Sequence, residues 1–192
     1  MQALPSGWPD RIVVLMPPPL MTPEELFARF DELGMVHRTY SHPPVFTVAE
    51  ATALRGSLPG AHCKSLFFKD KKGAFWLAVM LEERRIDLKK LAARLRAPRF
   101  SFGGAADLDR LLGVRPGSVT PFALLNDVRH FVTPVLDAAM LRHDPLNYHP
   151  LENDRTTAIS AADLLRLIAA SEHVPRIVEM AGLGHEPDIP ES

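Results

Sequence analysis

The chain has 192 residues, 46% of them hydrophobic, and a formal net charge of -1 at pH 7. This length accommodates one domain with a substantial core but not two of ordinary size. The balanced charge excludes a basic surface all around the molecule, so any binding of nucleic acid needs a local patch. The single cysteine, Cys63, excludes an internal disulfide framework and a Cys-rich metal site, and it predicts a reducing, cytoplasmic location.

The N-terminal part of the chain changes character at about residue 21. Prolines at positions 5, 9 and 17–19 predict an irregular extension over residues 1–20. A helix follows, because Thr22 suits the N-cap and Pro23 the first helical position, and it is predicted to end near Gly34. We therefore predict one folded domain over residues 21–172 and a C-terminal tail over residues 173–192.

Helices and strands alternate irregularly along the predicted domain. Residues 36–41 read as a strand, and a capping-box pattern at 47–50 predicts a second helix that ends near Gly56. Further strands are predicted at Ala61–Asp70, 74–81, 99–102, 130–136, 146–149 and 156–160, and further helices at 87–95, Ala105–Leu112 and Ala161–Ala170. Because the order is not strictly βαβ, we expect a single α+β domain with a mixed, barrel-like β-sheet flanked by helices.

The strand Ala61–Asp70 contains the first functional candidate. Period-two alternation puts Lys64 on the same face as Leu66 and Phe68, with Cys63 on the opposite face as a packed residue. An ammonium group on a mainly apolar face loses hydration, so it needs a partner, a polar cavity or a ligand. The alternative is that the Lys64 side chain reaches past the end of the strand to solvent.

Two loops are the next candidates. The loop at 113–121 ends in a GxxxP pattern that begins at Gly117, where glycine allows close backbone approach and proline fixes one end. Its N–H groups would then face a carbonyl or phosphate, although a plain connecting turn is the alternative. A second polar cluster, with His149, Asn153 and Thr156, occupies a turn between two predicted strands.

Other kinds of site find less support. There is no Gly-x-Ser-x-Gly or Cys-Gly context for a nucleophile, and the eight histidines lack metal-ligand spacing, so we predict no metal and no cofactor. Basic residues cluster in two short segments, with these candidate phosphate contacts: Lys69, Lys71, Lys72, Lys89 and Lys90. Such clusters are usually solvated faces, but next to a buried lysine and a backbone-rich loop they suit a polyanion whose end enters a pocket.

Three segments together resemble the bacterial prolyl-tRNA editing domain family. They are CKSLFFKDKKG, which contains Lys64, then GVRPGSVTPFALLND, and then HPLENDRTTAIS followed by a leucine-rich helix. The similarity extends over residues 21–171. It is greatest to the free-standing deacylases that remove alanine from tRNA(Pro), which are related to the cysteinyl-tRNA(Pro) deacylases.

The resemblance implies a fold, a reaction and a set of site residues. It implies a mixed, barrel-like sheet, no metal or cofactor, and hydrolysis of the ester of mischarged tRNA(Pro), with Lys64 and Gly117 as the catalytic positions. In the family the ribose hydroxyl of the tRNA is thought to assist the reaction. The implied substrate-binding residues are Ser118, Val119, Thr120, Pro121, His149, Asn153 and Thr156.

The resemblance also implies partners and leaves alternatives open. The partners would be the acceptor end of tRNA(Pro) and prolyl-tRNA synthetase. The match to CKSLFFKDKKG favours alanine as the acyl group. The alternatives are a deacylase for another mischarged amino acid, cysteine or serine, and a non-catalytic module of the same fold that binds tRNA or a synthetase.

Overall fold

The computed structural model describes residues 20–42 and 58–184. The helix predicted between residue 47 and Gly56 lies outside these described residues. None of the helices in the described ranges is long and apolar enough to cross a membrane.

The described residues form eight strands and four α-helices. The strands are β1 (His37–Ser41), β2 (Ala61–Asp70), β3 (Phe75–Leu81), β4 (Phe100–Phe102), β5 (Val132–Asp137), β6 (Leu146–Tyr148), β7 (Arg155–Ile159) and β8 (Arg176–Val178). The helices are α1 (Pro23–Glu32), α2 (Leu88–Arg94), α3 (Ala105–Leu112) and α4 (Ala161–Ala170), and two short 3₁₀ helices span Pro121–Asn126 and Met140–Arg142. All eight strands join one sheet in the order β1-β7-β6-β2-β3-β5-β8, with β4 beside β2.

The predicted α+β class with a mixed sheet is confirmed. Strand β2 pairs antiparallel with β3 and parallel with β6, and β3 pairs parallel with β5. The capping signals act as predicted in two helices. Thr22 and Glu25 form a reciprocal capping box at α1, and the Ser160 hydroxyl accepts a hydrogen bond from the Asp163 N–H at α4.

The sheet extends further at its C-terminal edge than the sequence predicts. The sequence predicts a tail from residue 173, but β8 pairs parallel with β5, and Met180 and Leu183 are buried. The Asp87 N–H also donates to the Leu183 carbonyl at 2.7 Å. A strand of three residues is too short for the alternation on which sequence prediction depends, so this correction needed the tertiary structure.

The two faces of the sheet carry separate cores. On one face, α1, α3, α4 and the first 3₁₀ helix pack over Phe67 and Leu77. On the other face, α2 packs over Phe68 and Ala78. Neighbouring residues of β2 and β3 therefore belong to opposite cores, which confirms the predicted alternation and puts Lys64 on the α2 side of the sheet.

Two hydrogen bonds hold the beginning of β2 against β6. The Ala61 N–H donates to the Pro145 carbonyl at 2.9 Å, and the side-chain amide of Asn147 donates to the Pro59 backbone carbonyl at 2.9 Å. Gly60, between them, has φ +91°, and a Cβ built on it would overlap the Pro145 carbonyl oxygen. Glycine at position 60 therefore allows the close approach that sets the register of β2 and β6.

We predict that Gly60→Ala lowers the free energy of unfolding by about 2 to 4 kcal/mol, because strain at positive φ adds to overpacking. Gly34→Ala is the matched control, since Gly34 has φ +63° but no atom within 4 Å of the added Cβ. Gly34→Ala should lower the free energy of unfolding by only about 1 to 2 kcal/mol. Urea unfolding followed by circular dichroism measures both. If both variants lose the same free energy of unfolding, the close contact between Gly60 and Pro145 does not contribute to stability.

Candidate active site

Lys64 lines a cavity of about 780 Å³ at the beginning of β2. The wall is formed by residues from β2, the end of β3 and the loop before β6: Gly60, Ala61, His62, Leu81, Glu82, Glu83, His143 and Asp144. Burial lowers the pKa of the Lys64 ammonium, and the Glu82 and Glu83 carboxylates oppose that shift. Lys64 forms no salt bridge with any described residue. A polar cavity therefore accounts for a lysine on this sheet face.

The strand registers bring further polar residues to the same face as Lys64. Strand β6 runs parallel to β2 in a register that, continued two residues past its last pair, places His149 beside Lys64. The register of β6 with β7, continued by one residue, places Thr156 beside His149. Tyr40 of β1 pairs directly with Thr156. These four side chains therefore form one transverse row across the sheet, which brings Lys64 to the same face as His149 and Thr156 of the predicted polar cluster.

His149 has a defined protonation pattern. Its Nδ1 lies 3.0 Å from the Arg155 carbonyl oxygen. A carbonyl oxygen only accepts, so Nδ1 carries the proton and Nε2 carries the lone pair of the neutral ring. Burial lowers the pKa of His149 below its usual 6.5, with the hydrogen bond to Arg155 opposing the shift, so the ring is neutral at pH 7. His149 therefore offers a hydrogen-bond acceptor at Nε2.

The neighbours of His149 connect it to the cavity of Lys64. Its ring centroid lies 6.3 Å from that of His42, and Nε2 of His42 lies 2.9 Å from the Thr156 hydroxyl. The Glu82 carboxylate acts electrostatically on both His149 and Lys64. Glu82 therefore influences both Lys64 and His149 of the row.

The Gly117 loop begins with a tight turn. The Ser118 N–H donates to the Arg115 carbonyl at 3.0 Å, and Gly117 occupies the third position of this turn with φ +92°. With Pro116 in the second position, this is the pattern of a type II turn. The turn uses the Ser118 N–H, whereas the N–H groups of Val119 and Thr120 have no hydrogen-bond acceptor among residues 20–42 and 58–184.

The side chains after Gly117 turn inward. Thr120 is fully buried, and its hydroxyl accepts from the Phe122 N–H at the start of the 3₁₀ helix. Pro121 is buried in the first turn of that helix, and Val119 packs against the main core. A role for these three residues in substrate binding stays a prediction. Thr120 and Pro121 are buried, so Val119, which is half-buried, is the one of the three that exposes part of its surface.

The Gly117 loop and Lys64 border different cavities. Ser118 and Asn153 line a second cavity, of about 620 Å³, between α1, α3 and the turn at 149–155. A Cβ on Gly117 would lie 3.9 Å from the Asn153 side-chain nitrogen, so these two residues are neighbours. The turn at 149–155 lines the second cavity through Leu151, Glu152, Asn153 and Asp154. The structure thus brings the predicted residues together in two groups rather than one.

Arg155 is a residue that sequence reasoning missed. Its guanidinium forms salt bridges with Glu152 at 3.0 Å, Asp154 at 3.3 Å and Glu24 of α1 at 3.5 Å. Its carbonyl also accepts the hydrogen bond from His149. Arg155 therefore ties the turn at 149–155 to α1. The only available signal was an arginine within an otherwise polar, mainly acidic turn.

The candidate phosphate contacts fall into two groups. Lys71 and Lys72 are exposed in the turn between β2 and β3, and Lys71 is about 23 Å along the strand from Lys64. Lys89 and Lys90 are exposed at the start of α2, which follows the end of β3 beside the Lys64 cavity. Lys69 is partly engaged, with its ammonium 3.4 Å from the Asp107 carboxylate. The lysines therefore do not form one continuous patch.

Cys63 and the histidines have mainly structural surroundings. Cys63 packs against the main core, and burial raises the pKa of its thiol to about 12, so very little thiolate forms at neutral pH. In the described ranges, no three His, Cys, Asp or Glu side chains converge as metal ligands would.

Comparison with known proteins gives a consistent result. The family profile described as "Aminoacyl-tRNA editing domain" matches residues 42–167. The chain is 36% identical over 157 residues to the zebrafish (Danio rerio) "Prolyl-tRNA synthetase associated domain-containing protein 1", covering 81% of this chain and 85% of that protein. It is 28% identical over 158 residues to "Prolyl-tRNA editing protein ProX" of Acetoanaerobium sticklandii, covering 82% of this chain and 96% of that protein.

A more distant relative and a solved structure extend the comparison. "Multifunctional Ser/Thr-tRNA deacylase ProXp-y" of Escherichia coli K12 is 25% identical over 150 residues, covering 77% of this chain and 88% of that protein. A crystal structure of a protein provisionally described as a trans-editing enzyme for prolyl-tRNA synthetase superposes with a TM-score of 0.61. It covers 82% of this chain and 95% of the other at 19% identity, so it supports the fold alone.

Proposed function

The chain belongs to the aminoacyl-tRNA editing domain family, and on that premise we propose that it is a trans-acting deacylase that hydrolyses the ester of mischarged tRNA(Pro), with alanine as the favoured acyl group. The observation that carries the proposal is Lys64. Its half-buried ammonium has no salt-bridge partner among the described residues and lines a polar cavity within the segment that resembles the editing family.

The reaction needs positioning more than a strong protein nucleophile. Water attacks the ester carbonyl carbon, the bond to the ribose oxygen breaks, and that oxygen takes up a proton, which yields a free amino acid and tRNA. Such a step is accelerated by a well-placed water and by donors aimed at the developing oxyanion. Lys64 would orient the terminal nucleotide and stabilise the developing charge. The Cys63 thiol is unsuited to attack, because burial raises its pKa to about 12.

The Gly117 loop would supply a backbone donor. The Val119 N–H has no acceptor within the described residues, and the turn at Gly117 holds this segment in place. Val119 is half-buried, whereas Thr120 is fully buried and its N–H is closed to a ligand. An amide group such as that of Val119 suits an ester carbonyl whose oxygen becomes negative. The turn at 149–155, whose Asn153 side chain lies beside Gly117, would hold the loop in place.

His149 would recognise the amino group of the substrate. Its neutral ring carries the lone pair on Nε2, which accepts a hydrogen bond from the α-ammonium group of an aminoacyl ester. Thr156 would hold the neighbouring His42 through its 2.9 Å hydrogen bond, and Asn153 would support the Gly117 turn.

An editing activity for alanine has a physical reason. A synthetase site that admits proline excludes a smaller amino acid weakly, since each missing methylene changes binding by only about 1 to 3 kcal/mol. A second site must then remove the error. Prolyl-tRNA synthetase is accordingly the proposed functional partner, and the acceptor end of tRNA(Pro) the proposed ligand.

A second candidate substrate is a different mischarged amino acid. It is favoured by the 25% identity to the E. coli protein named as a Ser/Thr-tRNA deacylase. The choice between alanine and another amino acid is decided by measuring deacylation rates of alanyl-, seryl-, threonyl-, cysteinyl- and prolyl-tRNA, all with the same tRNA(Pro) body. Alanyl-tRNA should be cleared fastest and prolyl-tRNA should be spared. Hydrolysis of none of the five would leave only a binding module.

We expect Lys64→Ala to lower the deacylation rate by at least about 10²-fold, the effect of losing one group that stabilises the transition state. The fold should persist, and relief of a desolvated charge should keep the free energy of unfolding unchanged or raise it. Arg129→Gln removes an exposed cation that does not line the Lys64 cavity, and it should leave the rate unchanged. A folded Lys64→Ala protein with near-normal turnover would contradict the mechanism.

Gly117→Ala should lower the single-turnover rate by about 10²-fold while tRNA affinity changes little. The added methyl group has room, but φ +92° is unfavourable for alanine, so the turn should shift and move the Val119 N–H group. Gly182→Ala, at φ +74° with no atom within 4 Å, controls for strain alone. If both variants retain the wild-type rate, the loop is a connector.

The two lysine groups are expected to contact acceptor-stem phosphates to different extents. Replacing Lys89 and Lys90 by alanine should weaken tRNA binding and flatten the plot of log affinity against log salt by about 0.7 to 0.9 per lost contact. The Lys71 and Lys72 pair is tested separately, because it lies at the other end of β2. Filter binding at several salt concentrations gives both slopes. If neither pair changes the slope, the tRNA lies across another surface.

A further inference from the structure

A cation–aromatic pair lies on the edge strand β1. Arg38 and Tyr40 are two residues apart, so both side chains emerge on the same face of the sheet. The Arg38 guanidinium carbon lies 5.0 Å from the centroid of the Tyr40 ring. Arg38 is exposed, Tyr40 is half-buried, and Arg38 forms no salt bridge with a described residue.

This pair faces the same side of the sheet as Lys64. Tyr40 pairs with Thr156, and the continued registers add His149 and Lys64 to the same row. Three strand spacings separate Tyr40 from Lys64, a distance of about 14 Å. At about 3.4 Å per stacked nucleotide, this is the length of a few nucleotides of single strand.

A third cavity, of about 400 Å³, lies over the pair. Its lining includes Arg38, Tyr40, Pro59, Asp144, Pro145 and Ala158. Asp144 also lines the Lys64 cavity, so the two cavities share a wall. The small side chain of Ala158, which pairs with Arg38, leaves space above the sheet between the two strands.

The charges around this cavity suit a nucleotide. The Asp163 carboxylate is already neutralised, because it lies 2.7 Å from the Arg166 guanidinium and accepts from the Ser160 hydroxyl. Asp144 is exposed at the shared wall, where a carboxylate can accept from the exocyclic amino group of cytosine. The cavity therefore combines an aromatic face, a cation for a phosphate and an acceptor for a base.

We propose that Arg38 and Tyr40 stack one of the unpaired bases that precede the terminal adenosine of the tRNA, and so position its ester at Lys64. This inference rests on the proposed deacylase function and assigns to it a base-binding subsite. Aromatic side chains bind single-stranded bases by stacking, and an adjacent arginine adds a planar cation and a phosphate contact. Tyr40 and Arg38 are thus positioning residues, because neither touches the ester.

The alternative is that the pair only stabilises the edge strand. Binding of two RNA probes that carry no amino acid separates these roles. One is a synthetic acceptor-stem microhelix that ends in single-stranded CCA, and the other is the same microhelix without those three nucleotides. Neither probe requires hydrolysis, so the measurement is independent of the deacylation assay.

Tyr40→Ala should weaken binding of the CCA-ended microhelix by about 5- to 150-fold and leave binding of the shortened microhelix unchanged. Tyr40→Phe keeps the ring and should restore binding. Arg38→Gln should weaken binding and flatten the salt slope by about 0.7. Arg129→Gln, an exposed arginine outside this cavity, is the matched control.

Thermal unfolding checks that each variant is folded. If Tyr40→Ala does not fold, Tyr40→Leu, which retains packing without an aromatic face, should show the same loss. Equal binding of the CCA-ended probe by wild type and the Tyr40 variant, or an equal loss with both probes, overturns the proposal. If the wild type hydrolyses no aminoacyl-tRNA but binds the CCA end through Tyr40, the deacylase function fails while the base-binding subsite stands.

Discussion

The parallel pairing of β2 with β6 is the constraint on which the candidate site depends. The Ala61 N–H bonds to the Pro145 carbonyl, and the Asn147 amide bonds to the Pro59 carbonyl, so the register is fixed at the very beginning of β2. A slip of one residue would turn Lys64 into the main core and Cys63 into the cavity. The absence of a side chain at Gly60 is what permits this contact, so a residue that touches no substrate decides which groups face it.

Strand β2 carries a structural and a chemical role at once. Phe67 and Phe68 fill the two cores on opposite faces and so fix the backbone of the strand. The packing of the rest of the strand therefore offsets the unfavourable partial desolvation of the Lys64 ammonium. The same logic applies to His149, whose orientation comes from the Arg155 carbonyl and whose turn is held by the salt bridges of Arg155. In both cases the surrounding residues position a polar group at a site where burial is unfavourable for it.

The candidate site was predictable where the signal was local. Lys64 stands out because alternation over a few residues defines the face on which it lies, and the Gly117 turn because proline and glycine encode its backbone geometry. Relations across the fold were not predictable. The separation of Lys64 and the Gly117 loop into two cavities depends on strand registers, and the attachment of the turn at 149–155 to α1 depends on Arg155 reaching Glu24, 131 residues away in the chain.

The sequence by itself determined most of the elements, the α+β class, the position of Lys64 on an apolar strand face and the resemblance to an editing family, because periodicity, capping and turn chemistry act between residues close in the chain. Only the tertiary structure decided that β8 completes the sheet, that the lysines divide between two ends of a hairpin, and that Arg38 and Tyr40 share a face with Lys64. These features arise from pairing between strands that are distant in sequence. Which residues meet there depends on register, and one residue of register changes the face of every side chain.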